Sequence, residues 1–147
     1  MSLYTIHLEW TNQSTTFSAD TFKRDHTIFF SGDQKLLNSS APEYSGNPEA
    51  SNPEELLASA LASCHMLTFL TIAAKSGYNV LSYKCKAEAL LDKNEEGRLA
   101  ITTIKLIPTI IFSNEKSATE EQLKSLHEKA HRNCFIAQSL KTKIEIV

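Results

Sequence analysis

The sequence predicts an α+β fold, and three of its features carry that prediction. From Leu56 to Ala74 no Asp, Glu, Lys or Arg occurs, and helix start and stop signals bracket the stretch. Runs on either side of it alternate apolar and polar residues in strand fashion. A second helical pattern and a final alternating run close the chain. Strands, one long helix, more strands and another helix make an α+β chain rather than a regular βαβ winding.

The elements follow in order. Residues 3–10 (Leu3, Thr5, Ile6, Leu8, Trp10) alternate loosely and predict a strand, and Thr11–Thr16 a turn. Thr27–Phe30 predicts a second strand, ended by Ser31-Gly32-Asp33, with a third beginning at Lys35–Asn38. Residues 39–53 form a long loop holding three of the four prolines, and loops of that length in small domains tend to be functional. It ends in a helix start: Asn52 as N-cap, Pro53 at the first helical position, then Glu54 and Glu55 against the positive helix end. Lys75-Ser76-Gly77 closes that helix with a cation and a glycine.

The charge-free helix is long enough for a membrane span, at about 1.5 Å per residue. Against a span stand Ser59, Ser63, His65, Thr68, Thr71 and the many alanines. Burial all round is the better reading. One small domain can hardly wrap such a helix, so a homodimer sharing one core between two of them is expected. Beyond it, Tyr78–Leu91 predicts a strand, Asp92–Arg98 a turn, and Leu99–Phe112 a strand broken by Pro108. Ser117–Gln122 offers an N-cap and acidic first turn for a helix running to about Leu140, with Leu123, Leu126, Ala130, Cys134 and Ala137 on one face. Lys141–Val147 alternates as a final strand.

At 147 residues the chain is expected to form a single domain, residues 1–147. A net charge of −2 without a basic run gives no reason to expect nucleic acid or an anionic membrane as partner. The N-terminus lacks a basic n-region followed by an apolar stretch, so no secretory signal is expected. Three cysteines is an odd, low count for a secreted disulfide framework, and a cytoplasmic location follows as the expectation.

Cys64 lies mid-way along the first long helix and Cys134 on the apolar face of the second. Each reads either as a small buried hydrophobe or as a reactive thiol, whereas Cys85, in a strand, reads as packing. A reactive thiol must ionise, and burial in an apolar helix opposes that. His65 sits about 100° round the helix from Cys64, so an activating cation must come from elsewhere in the chain. An arginine suits the task, since it stays charged and its planar fork can hold a sulfur and a carboxylate together. The arginines are Arg24, ahead of the second strand, Arg98, in a predicted turn, and Arg132, beside Cys134.

These residues stand in segments that resemble the osmotically inducible protein C / organic hydroperoxide resistance (OsmC/Ohr) family over nearly the whole chain. The matching segments are Lys23–Ile28, Ser39–Tyr44, Asn52–Leu57 running into Ser63–Leu67, and Ala130–Ala137. Asn-Pro-Glu ahead of a mid-helix cysteine, with a second cysteine about 70 residues on, is specific in order and spacing. His-Met-Leu-Thr-Phe-Leu after Cys64, and the Ser39–Tyr44 motif, look like a less characterised branch.

The resemblance implies an intertwined homodimer in which long buried central helices pack against antiparallel β-sheets. It also implies a cysteine-based peroxidase that needs no cofactor. By position Cys64 matches the peroxidatic cysteine, Cys134 the resolving cysteine, Glu54 the catalytic glutamate and Arg24 the arginine. The implied reaction reduces an organic hydroperoxide through a Cys64 sulfenic acid and a Cys64–Cys134 disulfide, which a dithiol reductant of lipoyl or thioredoxin type reopens. Tyr44 and Phe135 are candidate lining residues for the substrate. Two other readings stay open. His127, His131 and Cys134, at i, i+4 and i+7, are zinc-ligand candidates with Glu128 or His65 as a fourth. The other is a dimeric ligand-binding protein of the same fold without peroxidase activity.

Overall fold

The computed structural model describes residues 1–147. It contains strands β1 (His7–Glu9), β2 (His26–Phe29) and β3 (Lys35–Asn38), then helix α1 (Pro53–Lys75). Strands β4 (Val80–Lys93) and β5 (Leu99–Phe112), helices α2 (Glu120–Asn133) and α3 (Phe135–Ser139), and strand β6 (Lys143–Ile146) complete it. By internal contacts the chain divides into two compact units, Met1–Leu56 and Leu57–Val147.

In the N-terminal unit β1, β2 and β3 form an antiparallel sheet in that order. The turn between β2 and β3 places Gly32 and Asp33 at positive φ, the conformation that a tight hairpin needs. The loop after β3 folds on itself. A 3-10 turn spans Pro42–Tyr44, and the Gly46 amide donates to the Ala41 carbonyl at 3.2 Å. A Cβ at Gly46 would overlap the Ser40 carbonyl. Backbone cannot yield there as a flexible side chain could, so Gly46→Ala is expected to cost on the order of 3 kcal/mol. Urea unfolding of the variant checks this, and an unchanged midpoint would contradict the loop geometry.

The α1 caps are those of the sequence reading, with one addition. Asn52 Oδ1 accepts from the Glu55 amide at 2.9 Å, and the Glu55 carboxylate accepts from the Asn52 amide at 3.1 Å. Glu55 thus completes a reciprocal capping box. At the other end Gly77 has φ 84°, Gly77 N–H reaches Ala74 O, and Tyr78 N–H reaches Ala73 O, a Schellman closure.

α1 is apolar and long enough to cross a membrane by length and composition. Within one chain it buries a single stripe, Ala58, Leu61, His65, Phe69 and Ala73, at helical spacing. Leu67, off that stripe, is 58% exposed, so all-round burial is not achieved by one copy.

In the C-terminal unit β5 is central, paired antiparallel with β4 and parallel with β6. The expectation of antiparallel sheets therefore fails for β6. β5 is also unbroken: Pro108 sits in the ladder opposite Cys85. β6 ends with Ile146 opposite Leu106, so at position 108 β5 has a neighbour on one side only and tolerates proline as an edge strand does. Two apolar clusters fill the unit. One holds Leu61, Ile104, Leu106, Cys134 and Ala137, and the other Phe69, Ala73, Leu126 and Ala130.

α2 starts in a capping box between Thr119 and Gln122. It does not run to Leu140. Cys134 takes an extended conformation, φ −76° and ψ 113°, ending α2 and capping α3. Its sulfur accepts from the Ala137 amide at 3.4 Å, which supplies an orphan donor of the new helix with a partner.

Candidate active site

The break at Cys134 places that thiol in the first apolar cluster, fully buried, where half-buried Cys64 packs against it. Burial pushes the Cys134 thiol up to about 11, and a hydrogen bond with the Cys64 thiol adds to the effect. Both thiols are free. Two sulfurs 70 positions apart in the chain are therefore neighbours in a dry setting. Cys85 packs on the same cluster from β4, and burial raises its thiol as well.

Arg24 and Glu54 belong to the N-terminal unit. The Arg24 guanidinium donates to the Phe22 carbonyl at 2.9 Å and the Ala19 carbonyl at 3.0 Å, and lies 4.4 Å from the Phe22 ring centroid. Guanidinium has about five N–H donors, so much of the fork remains without a protein partner. One carboxylate oxygen of Glu54 is shielded from water and has no hydrogen-bond partner. A buried orphan oxygen of this kind marks a strained or functional position. Tyr44, the last residue of the 3-10 turn, is about half exposed, and Phe135, the first residue of α3, is 83% exposed.

A polar network around Arg24 had no counterpart in the sequence reading. Ser39 Oγ donates to Asp25 at 2.9 Å, and Asn47 Nδ2 donates to the other Asp25 oxygen at 3.0 Å. Asn38 accepts from the Ser51 hydroxyl, which orients its amide to donate to His26 Nε2 at 3.0 Å. His26 therefore carries its proton on Nδ1 and donates to the Arg24 carbonyl at 2.8 Å. Asn38 and Ser39 are buried, so these bonds satisfy groups that water cannot reach. The network ties the Arg24 segment to Ser51, next to the α1 cap. Asp25 and His26 stood inside a matched segment, but the partners that give them a role come from β3 and the following loop.

His65, next to Cys64, is buried with its Nε2 at 3.0 Å from His127 Nδ1, and His127 stacks on Phe69. Burial, then His127 and His131, lower the His65 pKa to about 4, and burial lowers that of His127. No three His, Cys, Asp or Glu side chains converge as metal ligands, so the zinc alternative finds no preassembled donor set. His127 spends Nδ1 on His65, while Cys134 faces the other cluster.

The paired histidines imply a pH dependence of stability. Between pH 6.5 and about 4 the unfolded His65 binds a proton that the folded one refuses. The stabilisation is thus complete above pH 6.5 and is lost as pH falls through that window, on the order of 3 kcal/mol for His65. Urea midpoints at pH 7.5 and 4.5 should differ more for the native chain than for His65→Gln. Equal differences would contradict a neutral buried pair.

Comparison with known proteins agrees with this architecture. The family model described as OsmC-like protein matches residues 46–147. A solved OsmC-like protein of unknown function from Vibrio cholerae is 38% identical, with a TM-score of 0.95, over 100% of this chain and 99% of that one. Peroxiredoxin OsmC of Escherichia coli is 29% identical over 98 residues, 67% of this chain and 66% of its own length. An organic hydroperoxide resistance protein from Legionella pneumophila, 18% identical, shares the fold with a TM-score of 0.71 over 99% of this chain and 96% of that one. The chain belongs to the OsmC-like protein family.

Proposed function

We propose that this chain is a homodimeric, cysteine-based peroxidase of organic hydroperoxides, working in the cytoplasm. The observation that carries the reading is that Cys64 packs on the apolar cluster that buries Cys134, in a family that includes a protein named peroxiredoxin. Two thiols of one cluster can close a disulfide with little movement of the fold, provided that geometry allows the short S–S bond.

The Cys64 thiolate attacks the distal oxygen of ROOH, the O–O bond breaks, and ROH leaves after taking a proton. Cys64 is now a sulfenic acid. The Cys134 thiol attacks that sulfur, a disulfide forms, and water leaves. A dithiol reductant reopens the disulfide by exchange and is itself oxidised to a cyclic disulfide. Over the cycle ROOH and a dithiol become ROH, water and a disulfide. Arg24 is assigned the cation that stabilises the Cys64 thiolate, and Glu54 the carboxylate that orients the guanidinium. Its orphaned oxygen supports that role. Tyr44 and Phe135 are assigned to the substrate approach, and their exposed rings fit it.

The dimer is supported by apolar surface that one copy leaves open. Leu67 on α1, Leu81 and Leu90 on β4, and Leu99 and Ile111 on β5 are all exposed. Sedimentation should give twice the 16.4 kDa chain mass. Purified reduced protein should consume cumene hydroperoxide catalytically with dithiothreitol as reductant. Binding of the peroxide's alcohol without any consumption would favour the non-catalytic reading instead.

A further inference from the structure

The buried His65–His127 pair lies in the same compact unit as both thiols, and the proposed reaction gives it no step. His65 Nε2 stands 3.0 Å from His127 Nδ1, and the two rings are within 9° of parallel. Phe69 closes over His127, with ring centroids 4.6 Å apart. His65 directly follows Cys64 on α1. His127 precedes Cys134 by seven residues, two turns or about 10 Å along α2. The bond therefore joins the two helices that carry the sulfurs.

Stability does not explain the pair. Two buried imidazoles lose hydration that one shared hydrogen bond only partly returns, and apolar side chains of similar volume fill such a place at no greater cost. The pair also stands between two apolar clusters. On the buried stripe of α1, Leu61 belongs to the cluster with Cys134, and Phe69 to the cluster with Leu126 and Ala130 of α2. Apolar contacts are non-directional and tolerate some sliding or rotation of one helix on another. A hydrogen bond between two ring nitrogens does not, because it needs a short distance and alignment. Disulfide closure is as exacting, with Cβ atoms about 4 Å apart. A misplacement of about 1 Å can slow a positioned reaction about 100-fold.

We infer that the His65–His127 hydrogen bond is a positioning contact, which fixes α2 against α1 in the register that lets the Cys134 sulfur reach Cys64. Its part in turnover rests on the proposed peroxidase function, and its effect on disulfide closure rests on the fold alone. Neither histidine is assigned a proton or a bond in the reaction. The attack of Cys64 on peroxide should not depend on the pair, and the closing step should.

Full-length His127→Asn and His127→Gln separate positioning from filling. The Asn amide falls where Nδ1 stands and can keep the bond to His65, whereas the Gln amide falls nearer Nε2 and loses it. With one equivalent of cumene hydroperoxide, rapid quenching into dimedone should show Cys64 sulfenic acid forming at the native rate in both. Its conversion to the Cys64–Cys134 disulfide should be near native in His127→Asn and about tenfold slower in His127→Gln, with more sulfinic acid under excess peroxide. Leucine at both positions leaves no orphaned imidazole, so His65→Leu/His127→Leu should fold and close as slowly as His127→Gln. Equilibration with glutathione disulfide reads the same geometry without peroxide: two protein thiols become a disulfide, and glutathione disulfide becomes two glutathione thiols. There His127→Gln should form the disulfide about tenfold less readily than the native chain, a shift of about 30 mV. Closure at the native rate in His127→Gln and in the leucine pair would overturn the inference. So would equal slowing of both chemical steps with no recovery in His127→Asn. A native protein that consumes no peroxide, yet closes the disulfide with glutathione disulfide in a His127-dependent way, would overturn the peroxidase function and leave the positioning role standing.

Discussion

Cys64→Ser is expected to reduce cumene hydroperoxide consumption by at least about 1,000-fold, because nothing else in the chain replaces the nucleophile. Serine is nearly isosteric, and its hydroxyl can keep a hydrogen bond to Cys134, so the fold should be retained. Cys85 is the sulfur most able to confuse the result, since it packs on the same cluster. Its thiol is raised by burial and no cation is assigned to it, so Cys85→Ser should keep native activity. Activity that persists in Cys64→Ser and disappears in Cys85→Ser would move the reaction to the other sulfur.

Cys134→Ser is expected to behave differently. The first chemical step needs Cys64 alone, so the variant should consume about one equivalent of peroxide at an undiminished rate and then slow sharply. Its Cys64 sulfenic acid, held among apolar side chains, should be trapped by dimedone within the first turnover. Further peroxide should drive it to the sulfinic acid, which thiols do not reverse. Cys134 also caps α3 through its sulfur, and a serine oxygen is the better cap, so lost turnover should not come with lost stability. Multiple turnovers in Cys134→Ser with dithiothreitol would mean that the small thiol resolves the sulfenic acid directly.

What could be read from the sequence was local. The ends of α1 rest on Asn52-Pro53-Glu54-Glu55 and on Lys75-Ser76-Gly77, and capping acts within a turn, so both stood where the residues put them. Pro108 misled because its penalty depends on which strands lie alongside, and the short reach of β6 is not a local property. The break at Cys134 was hidden for the same reason. Asn133 and Cys134 can continue a helix, and only packing of the thiol and Ala137 into the cluster with Leu61, Ile104 and Leu106 selects the extended residue.

The candidate site divides in the same manner. Periodicity put Cys64 and Cys134 each on an apolar segment but did not pair them, and the pairing came with the family resemblance. The Asp25–Ser39–Asn47 and His26–Asn38–Ser51 bonds join residues from β2, β3 and the loop beyond. A buried asparagine at a strand end is the signal that could have pointed to them, since such a group must find partners. The rings of Trp10, Phe17 and Phe22 also meet, and strand periodicity cannot show that a loop folds back to bring them together.

The most direct measurement is a peptide map of the protein after one equivalent of cumene hydroperoxide, made without reduction. Two thiols should be lost per chain, the mass should fall by about two hydrogens as one disulfide forms, and a single cross-linked peptide should join the segments holding Cys64 and Cys134. A link through Cys85, or a sulfinic acid on Cys64 while Cys134 stays a free thiol, would contradict the claim that these two neighbouring sulfurs form the redox pair.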